Sequence, residues 1–203
     1  VDLHVAALAG VRGEVPAGTR ALIGLEYLVL PSEISLYRRQ RKEGSRWVVS
    51  LGGSDTHGVT VRIARWLSDN GMPATLILGP AFTDDEILGC IDSKMLRIKR
   101  KVPSLAEEFY MHDIAITGGG LTAFEAAAAG LPTIVVANEP WEVLHGCFLE
   151  SLGCSKFAGY CGTMNLQVLN ASLDVFDMSR VALSSVNAGG LEKVGRELLT
   201  FIR

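Results

Sequence analysis

The feature that most constrains this chain is the order of its middle part: a short apolar run, a glycine-containing loop and a helical pattern, repeated several times. Such alternation does not build a helical bundle or an antiparallel sandwich. It predicts βαβ units, and therefore an α/β, Rossmann-like parallel sheet with helices on both faces. Trp47 to Leu51 has strand length and is followed by Gly52, Gly53, Ser54 and Asp55, then by a helical pattern from Val59 to Asn70 that stops at Gly71 and Pro73. Ala74 to Leu78 is the next strand, and a short helix near Asp84 to Cys90 precedes a strand at Met95 to Lys99. A helix over Leu105 to Tyr110 leads to the strand Ile114 to Thr117 and to Gly118, Gly119 and Gly120. An Ala-rich helix, Leu121 to Ala129, is stopped by Gly130. Thr133 to Val136 is a further strand, and Glu142 to Leu152 a helix closed by Gly153. Leu166 to Leu169, Arg180 to Ser185 and Leu191 to Ile202 are expected as terminal helices.

Residues 1 to 45 break this rhythm. Gly10, Gly13, Pro16 and Gly18 predict a loop, and the segment is expected to be a linker ahead of a folded domain at 46–203. The run Arg38, Arg39, Gln40, Arg41, Lys42 reads as a solvated helix face. A chain of 203 residues, 48% of them hydrophobic, can bury roughly 70% of its extended-chain surface, enough for one domain. Nineteen basic against 22 acidic residues leave a net charge of -3, without the basic excess of a nucleic-acid binder. The most apolar stretch, Ile114 to Ala137, is interrupted by Glu125, four glycines and Pro132, so it does not predict a membrane-spanning helix. Cys90, Cys147, Cys154 and Cys161 show no C-x-x-C and no histidine at zinc spacing, which favours reduced thiols of a cytoplasmic protein; no metal and no cofactor are expected. The start at Val1 is expected to be either processed or a cut inside a longer protein.

A glycine loop between strand and helix brings backbone N–H groups up to an anion, and the helix start adds about half a positive charge. Two such loops are present, Gly52 to Asp55 and Gly118 to Thr122, both where an α/β sheet binds ligands. Neither is a dinucleotide fingerprint or a P-loop, and each has the alternative of being only a tight turn. Thr122 to Glu125 matches a capping box; equally, Glu125 could hold the two hydroxyls of a ribose. Composition does not choose between them. None of His4, His57, His112 and His145 stands in a context that marks a catalytic base, and no catalytic residue is assigned. Trp141 reads as a packing residue and His145 as a helix-surface residue.

The stretch T-G-G-G-L-T-A-F-E-A-A-A-A-G-L-P, Thr117 to Pro132, resembles the donor-site signature of GT-B glycosyltransferases and is similar to the C-terminal domain of the peptidoglycan N-acetylglucosaminyltransferases. G-L-E-Y-L-V-L-P-S-E at Gly24 to Glu33, with V-V-S-L-G-G-S-D at Val48 to Asp55, resembles the UDP-sugar hydrolases of pseudaminic acid synthesis and predicted glycosyltransferases of spore-coat polysaccharide synthesis. The resemblance covers about Gly18 to Gly153. It implies that Gly119, Gly120, Leu121 and Thr122 contact a diphosphate, that Glu125 holds the ribose, and that backbone near Val102 receives uracil. It also implies that Gly52, Gly53, Ser54 and Asp55 face an interdomain cleft. Asn138 and Glu142 match the stretch near the sugar, with glutamate where these families have glutamine.

The implied function is binding of a UDP-sugar as the donor half of a glycosyltransferase or nucleotide-sugar hydrolase in surface polysaccharide or nonulosonic acid synthesis. An N-terminal acceptor domain or partner subunit would complete it, with residues 1 to 20 resembling that domain's last strand and exit loop. The alternative from another class is a non-catalytic nucleotide-binding or assembly domain.

Overall fold

The computed structural model describes residues 3–8, 15, 17–83, 85–89, 91 and 94–201. Gly10, Gly13 and Pro16 of the expected loop, and Asp84 and Cys90 at the ends of the expected short helix, lie outside these. The chain opens with two parallel strands, β1 (Leu3–Ala6) and β2 (Arg20–Ile23), paired from Leu3 opposite Arg20 to Ala6 opposite Ile23. Short 3-10 turns at Leu25–Tyr27 and Ser32–Tyr37 lead into the main domain. There β3 (Trp47–Ser50), α1 (Val59–Asp69), β4 (Ala74–Leu78), α2 (Asp85–Gly89), β5 (Leu96–Arg100), α3 (Leu105–Met111) and β6 (Ile114–Gly118) follow in order. Next come α4 (Leu121–Ala128), β7 (Thr133–Ala137), α5 (Glu142–Leu152), β8 (Ser155–Tyr160), a 3-10 turn at Leu166–Asn170, α6 (Val175–Ser185) and α7 (Gly190–Phe201).

The six main strands are all parallel, in the order β5-β4-β3-β6-β7-β8, with helices on both faces. This is the expected Rossmann-like architecture. The alternation of side chains along each strand divides the core in two. Val48, Ala115 and Val135 face one layer with Phe109, Phe124 and the alanines of α4. Val49, Ile116 and Ile134 face the other with Ile63, Leu67 and Leu76. Strand β8 is absent from the sequence expectation because S-K-F-A-G-Y contains no β-branched residue. Its pairing with β7 supplies the order, through an irregular register beside Gly159, whose φ is 104°. Among the described residues no helix is long and apolar enough to cross a membrane.

The basic run corrects the expectation of a solvated helix face: it is extended, and it collects carbonyls at three helix ends. Arg41 is fully buried, with Nη2 donating to Phe109 O (2.6 Å), Nη1 to Ala129 O and Arg39 O, and Nε to His112 O (3.3 Å). Arg39 donates to Tyr110 O (2.8 Å) and Arg38 to Leu183 O (2.6 Å). The last carbonyls of a helix lack intrahelical donors and carry the negative end of its dipole, so guanidinium groups match the ends of α3, α4 and α6 in both respects. Burial and the neighbouring Arg39 pull the Arg41 pKa down to about 9, which leaves it cationic at neutral pH. Burial opposes ionisation of Asp113, but hydrogen bonds from Arg46 and Arg39 outweigh it and hold this carboxyl well below its usual range.

Replacing Arg41 with Met should therefore destabilise the fold by about 3 kcal/mol or more, since the carbonyls of Phe109, Ala129 and His112 lose a charged donor together. Arg41→Lys should recover only part of this, because one ammonium cannot span the same fork of acceptors. Urea denaturation with an unchanged m-value measures both; a loss below about 1 kcal/mol for Arg41→Met would contradict the assignment.

Candidate functional site

β3 and β6 are hydrogen-bonded neighbours, with Trp47 opposite Ile114 and Ser50 opposite Thr117. The connections leave them for opposite sides of the sheet, so the loops after their carboxyl ends part here and open a crevice. The backbones meet closely. A Cβ on Gly118 would stand 3.1 Å from Leu51 O, and one on Gly79 2.2 Å from Gly52 O. Gly52 itself has φ 92°, a conformation that disfavours any side chain.

The two helix starts at this crevice differ. Asp55 accepts from Val59 N (2.8 Å) and Thr60 N (2.5 Å), so the start of α1 is already met by a carboxylate. At α4 the N-cap is Gly120, which has no side chain to offer, and among the described residues no side chain answers the amides of Gly120, Leu121 and Thr122. The capping box does not form. The helix begins at Leu121, which puts Thr122 second in it and Glu125 beyond the reach that a box requires. Glu125 is half-buried one turn along α4. Burial, and secondarily Glu33, push its pKa up.

Helix α5 grips the peptide groups of Gly119 from both ends. Glu142 Oε2 accepts from Gly119 N (3.2 Å) and Asn138 N (2.7 Å), while His145 Nδ1–H donates to Gly119 O (2.8 Å). A Cβ on Gly119 would lie 2.7 Å from Glu142 Cβ, so only glycine fits. His145 is 1% exposed, which corrects its placement on the helix surface: the inner face of α5 turns toward the glycine loop, and the ring lies edge-on to Phe124 (5.5 Å) and Trp141 (5.4 Å). Trp141, expected as a packing residue, is 54% exposed on the wall of the crevice.

The crevice holds two hollows that meet at Gly52, Gly53 and Thr122. The wider, about 360 Å³, is lined also by Ser54, Thr56, Gly118, Gly120, Leu121, Asn138, Glu139, Trp141 and Glu142. The narrower, about 280 Å³, is lined by Ser50, Ile77, Gly79, Pro80, Lys101, Val102 and Leu105. A third hollow of about 320 Å³, beside Arg46, Arg97 and His112, lies by the amino ends of the strands, away from the crevice.

Of the residues picked from sequence, Gly52, Gly53, Ser54, Val102, Gly120, Leu121, Thr122, Asn138 and Glu142 thus line one or both hollows. Asp55 turns to α1, Gly119 stands behind Glu142 with its N–H engaged, and Glu125 lines neither hollow. Sequence reasoning missed Glu139 and Lys101, which is the one non-glycine residue with positive φ (50°) among those described. Among the described residues no cluster of His, Cys, Asp and Glu is suited to a metal ion.

No protein-family model matches the chain. It is 29% identical over 142 residues to the uncharacterized protein MJ1062 of Methanocaldococcus jannaschii, a match covering 64% of this chain and 29% of that protein. In structure it is similar to MurG of Acinetobacter baumannii, with a TM-score of 0.66 and 17% identity over 95% of this chain and 58% of that one. CalG4, the calicheamicin glycosyltransferase, gives a TM-score of 0.57 and 18% identity over 80% of this chain and 44% of that one. The spinosyn rhamnosyltransferase SpnG, solved with thymidine diphosphate, gives 0.53 and 15% over 82% and 48%. At these identities the likeness shows the fold alone, one shared with about half of each of these GT-B glycosyltransferase structures. The chain spans less than a third of MJ1062 and 44 to 58% of these structures.

The raised pKa of Glu125 sets a pH dependence. A carboxyl whose folded-state pKa exceeds its unfolded value stabilises the fold fully below the unfolded value and loses that contribution as pH rises through the folded one. Glu125→Gln should therefore raise the melting temperature at about pH 7.5 and lose this advantage toward about pH 4. A melting difference independent of pH would contradict the burial described.

Proposed function

We propose that this chain binds a nucleotide sugar, specifically a UDP-sugar, as the donor half of a protein that transfers or hydrolyses the glycosyl group. The observation that carries the reading is the uncapped start of α4 at the junction of the two hollows. A diphosphate there meets the amides of Gly120, Leu121 and Thr122 and the positive end of the helix dipole. The base then enters the narrower hollow against Val102, with the sugar in the wider hollow; the resemblance in sequence, rather than the lining of either hollow, assigns the ribose to Glu125. Backbone donors and the dipole stabilise the departing nucleoside diphosphate without a required metal.

The thymidine diphosphate bound to SpnG supports a nucleotide in such a fold. Resemblance in sequence supports the finer points: uracil as base, surface polysaccharide or nonulosonic acid synthesis in the cytoplasm as setting, and an acceptor domain or partner subunit as the other half. On this reading residues 1–45 are linker and remnant of that half, and 46–203 the donor domain.

Calorimetric titration tests the proposal. UDP should bind the chain, and Val102→Trp, which fills the narrower hollow, should weaken it at least tenfold, or about 1.4 kcal/mol, without lowering the melting temperature. Exchange of magnesium for EDTA should change the affinity by less than about tenfold. UDP should bind more tightly than 2′,3′-dideoxy-UDP, and Glu125→Ala should erase the difference. Absence of UDP binding at millimolar concentration would overturn the reading, and UDP release from a UDP-sugar by the pure chain would show that no other half is needed.

A further inference from the structure

The wider hollow differs from a general sugar pocket in the chemistry of its wall. Glu142 is 8% exposed, and its Oε2 is fixed by two backbone amides. Its Oε1 has no described hydrogen-bond partner and stands 3.2 Å from the position of a Cβ on Gly120, on the same wall. Asn138, 7% exposed, has a side-chain Oδ1 buried without a partner, and Glu139 adds a second carboxylate at 44% side-chain exposure. Among the described residues no Lys, Arg or His lines this hollow. The exposed indole of Trp141 lines the same hollow and makes an edge contact with His145. A carboxylate accepts hydrogen bonds and donates none, so a group lodged against Glu142 must bring donors. A further carboxylate would face two of like sign, of which Glu139 has His57 Nε2 at 3.5 Å while Glu142 has no described ion-pair partner.

Building on the donor-binding reading above, we infer that this hollow selects its glycosyl group by charge. It takes a neutral sugar that presents hydroxyl donors to Glu142 and an apolar ring face to Trp141, and it rejects sugar acids. Glu142 is the selecting residue: a glutamine there, with its amide N–H, would welcome both classes. The carboxylate narrows the choice by repulsion as much as by attraction.

Titrating the chain with UDP, UDP-glucose and UDP-glucuronate separates this inference from the reading it rests on, because all three share the nucleotide. UDP-glucose should bind at least tenfold more tightly than UDP-glucuronate. In Glu142→Gln that ratio should fall to threefold or less, and in Trp141→Ala the gain of UDP-glucose over UDP should shrink. Equal affinity of the unmodified chain for the two sugars overturns the inference while leaving nucleotide binding intact, and it needs no variant to fold. A ratio that persists in a folded Glu142→Gln overturns Glu142 as the selecting residue. Failure of UDP itself to bind overturns the donor-binding reading instead.

Discussion

The pairing of β3 with β6 is the constraint on which the site depends. Because Ser50 stands opposite Thr117, the chain leaves both strands at the same height, and two glycine loops emerge side by side. Neither tolerates side chains at the points of contact: Gly118 lies against Leu51 O and Gly79 against Gly52 O. The crevice is thus made by the sheet order and kept open by glycine. Its hollows differ in kind, the narrower having more apolar walls and the wider two carboxylates.

What holds the helices in position around that crevice lies at its far end. Arg38, Arg39 and Arg41 take the terminal carbonyls of α6, α3 and α4. Ser179 joins them, accepting from Arg41 N (2.9 Å) and donating to Gly130 O (2.6 Å) just past the end of α4. Helix α4 therefore has its negative end answered by the buried cation of Arg41, while its positive end faces the crevice without a capping side chain. A helix polarised in this way has its unmet charge concentrated where an anion can reach it.

The sheet was legible because buried parallel strands are short apolar runs, and because Gly71, Gly130 and Gly153 stop helices where the pattern says they should. Both glycine loops were legible for the same reason. Arg41 was not: a basic run looks alike whether it faces water or helix ends, and the difference is made by carbonyls between 68 and 88 residues away. His145 failed similarly, since its burial comes from the approach of Gly119 O, 26 residues off. The capping box was a local pattern defeated by a local competitor: Gly120 took the cap and put the helix start at Leu121, ahead of Thr122.

The grip of α5 on Gly119 then decides where an anion can sit. With Gly119 N–H turned to Glu142, the first amide without a described side-chain partner is that of Gly120, followed by Leu121 and Thr122. On the reading proposed above, an anion at the loop would meet Gly120, Leu121 and Thr122 rather than Gly119, whose N–H is engaged. Thr122 belongs to both hollows, so an anion there would sit at their junction. A diphosphate has one group to place on each side of itself, a nucleoside and a sugar, and that junction is where one ligand can fill both spaces. The same carboxylate that takes one amide of the loop also lines the wider hollow, so on the proposed reading Glu142 bears on both the place of the anion and the wall beyond it.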